Sequence, residues 1–104
     1  MTDVMIVSIT CASAPEAEKL AQMLVALKLA GCVQTHAIAS AYVWEGRLEQ
    51  ADEVLLTVKT LRDRLPALEV AVKTHHSYEV PELIATRAEW VSQSYADWLK
   101  AALA

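Results

Sequence analysis

The 104-residue chain carries a formal net charge of −4, and 55% of its residues are apolar. That is enough hydrophobic material for one core without disulfide or metal staples, and it predicts a single domain over residues 1–104. The acidic balance argues against nucleic acid, which selects a basic footprint, and against anionic membrane surfaces.

The start, Met1-Thr2-Asp3-Val4, has no basic n-region, and the apolar run Val4 to Ile9 is too short for a signal peptide or a membrane span. The β-branched run Val4 to Thr10 predicts a buried strand. Ser13-Ala14-Pro15-Glu16 has the spacing of a capping box, with Ser13 as N-cap and Pro15 in the first turn. Ala17, Leu20, Ala21, Leu24 and Leu27 follow at helical spacing, and Gly31 is the expected C′ residue with positive φ.

Val33 to Trp44 has no helical caps and predicts a long strand, bent near Ala39-Ser40-Ala41. Glu45-Gly46 supplies a tight turn, and Arg47 to Lys59 returns as a strand with Val54, Leu56 and Val58 on one face. Leu61, Leu65, Leu68, Val72 and His75 form a second helical stripe, with Asp63 as its expected cap. Leu83 to Arg87 predicts a short strand, and Ser92 begins a last helix with Tyr95, Trp98, Leu99 and Leu103 on one face. Trp98 is expected in the core.

This order, β-α-β-β-α-β plus a C-terminal helix, is an α+β ferredoxin-like plan. Right-handed crossovers place the fourth strand beside the first, antiparallel. The end of strand one, with Cys11, then lies against the loop that carries His75 and His76.

The stretch His75-His76-Ser77-Tyr78-Glu79-Val80-Pro81-Glu82 concentrates imidazole, phenol and carboxylate in eight residues. Imidazole is the commonest ligand for transition metals, but a histidine pair at a helix end also serves as a solvated cap. Cys11, His75 and His76 form a soft nitrogen and sulfur set suited to copper, with zinc second. Adjacent helical residues diverge by about 100°, so both histidines reach one ion only if the helix ends between them. Cys11 reads equally as a small buried hydrophobe, Cys32 as packing, and His36 as a satisfied or exposed strand residue. The two cysteines form no CxxC pair and predict free thiols in the cytoplasm. Tyr42 and Trp44, near the hairpin tip, suit a subunit interface. Lys59, Tyr78, Glu79 and Glu82 suit a polar pocket. No Ser-His-Asp arrangement or glycine-rich phosphate loop is present, so the expected protein is not an enzyme.

Four blocks together resemble the CutA family of divalent-cation tolerance proteins. They are Lys28-Leu29-Ala30-Gly31-Cys32-Val33, the hairpin Ser40 to Leu48 running on to Val58-Lys59-Thr60, His75 to Leu83, and Tyr95-Ala96-Asp97-Trp98-Leu99. The resemblance implies a homotrimer that joins strands across subunit edges. It also implies copper or another divalent metal held by Cys11, His75 and His76. Ser77 stands where the family commonly has proline, Gly31 and Gln34 depart from its Ala-Ala-Cys-Val-Asn run, and the loop after strand one is shorter. The alternative function is a trimeric small-ligand sensor like the PII signalling proteins, with a pocket between subunits formed by Tyr42, Lys59, Tyr78 and Glu82. Trp44 belongs to the same interface.

Overall fold

The computed structural model describes residues 3–104; Met1 and Thr2, half of the start read above for a leader, lie outside the described residues. The elements run β1 (Val4–Cys11), α1 (Ala14–Ala26), β2 (Cys32–Trp44) and β3 (Arg47–Leu61). A 3-10 turn (Arg62–Arg64), α2 (Leu65–His75), β4 (Leu83–Arg87) and α3 (Gln93–Ala102) complete the chain. The strands form one sheet in the order β2-β3-β1-β4, antiparallel throughout. This is the ferredoxin-like arrangement with an added helix, and β4 pairs with β1 as expected, with Ser8 opposite Ile84.

The strand alternation decides which face is covered. Val7, Ile9 and Cys11 of β1, with Leu56 and Val58 of β3, point into a core closed by Ala17, Leu20 and Leu24 of α1 and Leu68 and Val72 of α2. Each fully buried aliphatic side chain there contributes about 1.5–3 kcal/mol of transfer free energy. A second, smaller cluster joins Val4 to Leu99 and Leu103 at the C-terminal helix.

Helix α1 starts as its sequence predicts: the Ser13 hydroxyl accepts from the Glu16 N–H at 3.3 Å, and Pro15 sits in the first turn. Its end differs. The helix stops at Ala26, and the positive φ belongs to Lys28 at 57°, not to Gly31. The Leu29 N–H donates to the Leu24 carbonyl and the Lys28 N–H to the Val25 carbonyl, so the last carbonyls are satisfied without a glycine. Gly31 is small for a different reason. A Cβ there would lie 2.3 Å from Leu99 Cδ1, so the glycine lets α3 press on the start of β2.

The β2–β3 ladder runs unbroken from Cys32–Lys59 to Trp44–Arg47, straight through Ala39–Ala41. Glu45 and Gly46 close it with φ of 51° and 77°, a two-residue turn whose left-handed backbone matches the twist of the strands. Leu61 ends β3 and does not begin the second helix, because pairing with Val4 extends the strand. Asp63 does not cap α2: it lies in the 3-10 turn and pairs with Arg64 at 3.2 Å. Ser92 caps helix α3, its hydroxyl accepting from the Tyr95 N–H. Leu99 and Leu103 of that segment are buried, but Trp98 is 48% exposed and packs beside Tyr95 instead of entering the core.

Candidate metal centre

Three elements meet at one end of the sheet. Strand β1 delivers Cys11, the first turn of α1 delivers Glu16, and the residue after α2 delivers His76. One donor atom from each lies within 4.8 Å of the other two. Cys11 Sγ is 3.7 Å from His76 Nε2, and Cys11 is 0% exposed.

The α2 terminus separates the two histidines. His75 is the last helical residue, exposed, and its Nδ1–H donates to the Ala71 carbonyl one turn back at 2.9 Å. His76 leaves the helix with φ −82° and ψ 142°, which swings its ring toward β1. The helix does end between them, as shared coordination requires, yet the backbone change sends the two rings apart. His76 joins Cys11; His75 does not, and Glu16 stands in the third position.

Glu16 carries a signal that the sequence held in another guise. Its spacing from Ser13 is that of a capping box, but the carboxylate does not return to the Ser13 N–H. Oε1 accepts from the Ala12 N–H at 3.1 Å and Oε2 from the Ser77 N–H at 2.9 Å. The same side chain therefore ties the α1 entry to the loop after α2. Burial works to raise its carboxyl, but hydrogen bonding by Ser77 and Ala12 outweighs that and holds it below the usual carboxylate range.

His76 is held from both sides. Nε2 lies 2.7 Å from the Thr10 carbonyl, and Nδ1 accepts from the Tyr78 N–H at 3.0 Å. A carbonyl only accepts, so Nε2 carries the proton and Nδ1 the lone pair. The Tyr78 ring stacks at a tilt on the imidazole, with centroids 4.9 Å apart, and its hydroxyl donates to Glu53 Oε2 at 2.6 Å. Glu53 is only 7% exposed, so this phenol satisfies a buried carboxylate. Burial, then the Glu53 carboxylate, pushes the Tyr78 phenol well above its ordinary range.

Thiol, imidazole and carboxylate together fit a soft or borderline cation such as copper or zinc. The same atoms do not make a nucleophilic dyad. His76 Nε2 already donates to Thr10, so it has no lone pair for the Cys11 proton. Burial, followed by the nearby Glu16 and Glu53 charges, pushes the Cys11 thiol up to about 12.

The remaining candidates lie along the uncovered sheet face. Tyr42, Trp44, Tyr78 and Glu82 border one concave cavity of about 1030 Å3, together with Glu53 and Glu79. Lys59 is not among its lining residues; its ammonium donates to the Gln34 side chain further along the sheet. Cys32 is half-buried at the start of β2 and interacts with Tyr95, and His36 is exposed.

Residues 5–102 match the family model described as CutA1 divalent ion tolerance protein. The chain is 38% identical over 96 residues to "Protein CutA, chloroplastic" of Arabidopsis thaliana, covering 91% of this chain and 53% of that protein. It is also 38% identical over 96 residues to the divalent-cation tolerance protein CutA of Thermus thermophilus, covering 91% of this chain and 93% of that one. The chain thus spans about half the length of the plant relative and nearly all of the bacterial one. Among solved structures, the "Periplasmic divalent cation tolerance protein CutA" of Archaeoglobus fulgidus superposes with a TM-score of 0.95. Its identity is 34%, over 97% of this chain and 99% of that one. The family model, these relatives and the shared fold agree with the four sequence blocks, and the chain belongs to the CutA family of divalent-ion tolerance proteins.

Proposed function

We propose that this chain is a non-enzymatic metal-homeostasis protein that works as a homotrimer and takes copper, or another divalent metal, at Cys11, Glu16 and His76. The observation that carries the reading is the convergence of one thiol, one carboxylate and one imidazole from three separate elements within 4.8 Å. His76 stands 65 residues from Cys11 and meets it only through the fold, and thiol and imidazole are donors that soft and borderline cations select. The family description, ion tolerance and not a catalysed reaction, points the same way. The thiol and imidazole pair suits copper, with zinc second. His75 stays available at the surface as an accessory ligand rather than a member of the buried set. Both cysteines are free, which suits the reducing cytoplasm.

The trimer reading rests on the hairpin. Strand β2 is 13 residues long and, among the described residues, has a neighbour on one side only, and a long unpaired edge is a template for a second chain. Tyr42, Val43, Trp44 and Leu48 leave apolar surface exposed at its tip, with Leu48 at 75%. Sedimentation of the metal-free protein tests this directly, with three chains expected and one chain contradicting it.

Calorimetric titration with Cu(I), buffered by a competing chelator, tests the site. Wild type should bind, and Cys11→Ala and His76→Ala should each weaken binding at least tenfold, with His75→Ala changing it little. Identical isotherms for wild type and the Cys11 and His76 variants would remove the site.

The second reading, a PII-like sensor, is favoured by the cavity beside Tyr42, Trp44, Tyr78 and Glu82. Among the described residues its lining includes Glu53, Glu79 and Glu82 and no lysine, arginine or histidine, which disfavours nucleotides and other anions. A thermal-shift screen separates the two readings, since a ligand at 100 times its dissociation constant adds about 2.7 kcal/mol of stability.

A further inference from the structure

The donor set at Cys11, Glu16 and His76 is assembled, but one of its three members does not present a lone pair. An imidazole ligates through an unprotonated nitrogen. His76 Nε2, the nitrogen that faces Cys11, carries its proton to the Thr10 carbonyl. The other nitrogen cannot simply take that proton, because Nδ1 already accepts from the Tyr78 N–H at 3.0 Å. Moving the proton to Nδ1 would set two N–H groups against each other. Nε2 therefore becomes free only if the Tyr78 amide turns away.

Tyr78 is not loose enough to turn without consequence. Its ring leans on the imidazole itself, and its hydroxyl closes on Glu53 at 2.6 Å. Glu53 sits on β3 and is buried, so the phenol anchors the loop to the sheet through a charge-assisted hydrogen bond. Ser77, one residue earlier, is fastened to Glu16 by its own N–H. Four consecutive residues thus run helix end, ligand, tether and anchor. Tyr78 and Glu53 also line the cavity on the open sheet face.

We propose that Tyr78 is a latch: it holds His76 in the non-ligating tautomer, and ligation at His76 releases Tyr78 from Glu53 and remodels the cavity beside it. The inference rests on the metal reading of Cys11, Glu16 and His76, and it adds that the cavity reports whether the centre is loaded. Tyr78 acts as a positioning residue. It contributes no ligand, and part of the binding free energy is consumed in breaking its two hydrogen bonds. Weakening the latch should therefore strengthen metal binding, the opposite of what loss of a supporting residue does.

The test uses the whole chain, Cu(I) as the probe and two readouts. Long-range proton–nitrogen NMR of the metal-free protein should show His76 protonated at Nε2, and saturation with Cu(I) should transfer the proton to Nδ1 and shift the Tyr78 amide and ring signals. Competition titration should give Tyr78→Phe an affinity for Cu(I) about tenfold or more above wild type, the range of one hydrogen bond to a charged group. Glu53→Gln weakens the same anchor and serves if Tyr78→Phe does not fold; it should tighten binding in the same direction. A metal-free His76 protonated at Nδ1, or variants that bind Cu(I) no more tightly than wild type, would overturn the latch while leaving the metal site intact. Binding by the variants with none by wild type would support the latch in its strongest form. Absence of Cu(I) binding by all three proteins would overturn the metal reading and the latch with it.

Discussion

Glu16 shows how one carboxylate organises the centre. It takes N–H groups from Ala12 and Ser77, which lie on opposite sides of the site, and its carboxyl is held below the ordinary range. A depressed carboxyl stabilises the fold at pH values above its unfolded pKa, and that contribution is lost as pH falls through the folded value. Urea unfolding of the metal-free protein should therefore show stability falling in acid, and Glu16→Gln should flatten that fall while lowering stability near neutrality by about 1 kcal/mol. An unchanged acid slope in the variant would assign it to other carboxylates. Gly31 makes a second residue-scale case. Its missing Cβ is filled by buried Leu99, so Gly31→Ala should destabilise by about 1–3 kcal/mol, and Leu99→Ala should reduce that effect in a double-mutant cycle. Additive effects would mean that the two side chains do not compete for the space. The sequence marked Gly31 as special but for the wrong cause, because a pattern of spacings records helix ends and holds no trace of how closely a distant helix approaches.

Element boundaries follow the interactions that compete for each residue. Strand β4 matches its expected span, Leu83 to Arg87, because Pro81 bars continuation on one side and a short β-branched run has one use. Helix α1 ends five residues before Gly31 because Lys28 accepts the left-handed backbone, a choice that local propensity ranks low. Leu61 fits a helical stripe in sequence, yet its ladder partner Val4 keeps it in β3. Long-range pairing of this kind is invisible in a window of neighbouring residues. The β2–β3 hairpin was legible because Glu45-Gly46 has the turn chemistry and Val54, Leu56 and Val58 alternate along the return strand. Its turn also stores strain: Glu45, which has a Cβ, sits at φ 51°. Glu45→Asn should stabilise the protein by up to about 1 kcal/mol in denaturant titration, since asparagine tolerates that region better. A loss of stability would show that the Glu45 side chain makes a compensating contact across an assembled interface.

At the scale of the whole molecule, the hairpin sets the shape. The principal extents are 44 × 26 × 23 Å and the radius of gyration is 14.2 Å, against about 13 Å for a compact chain of this length. A protruding hairpin with exposed Val43, Trp44 and Leu48 is a poor design for a lone chain and a reasonable one for a subunit. Sedimentation should return a mass near three times 11.4 kDa, and Leu48→Glu should shift it toward a single chain. An unaltered mass in that variant would place the contact elsewhere on the sheet. The candidate centre was half legible. Cys11 and His76 were readable because topology alone brings β1 and the loop before β4 together, whereas His75 turned on the direction its ring takes at the end of α2, and Glu16 on the Ala12 and Ser77 N–H groups that hold its carboxylate in the site. The most direct test of the account is a crystal of the Cu(I)-loaded protein measured for anomalous scattering at the copper edge. The predicted result is a peak within bonding distance of Cys11 Sγ and His76 Nε2, with the Tyr78 hydroxyl withdrawn from Glu53. A peak at His75 alone, or none at the end of β1, would contradict it.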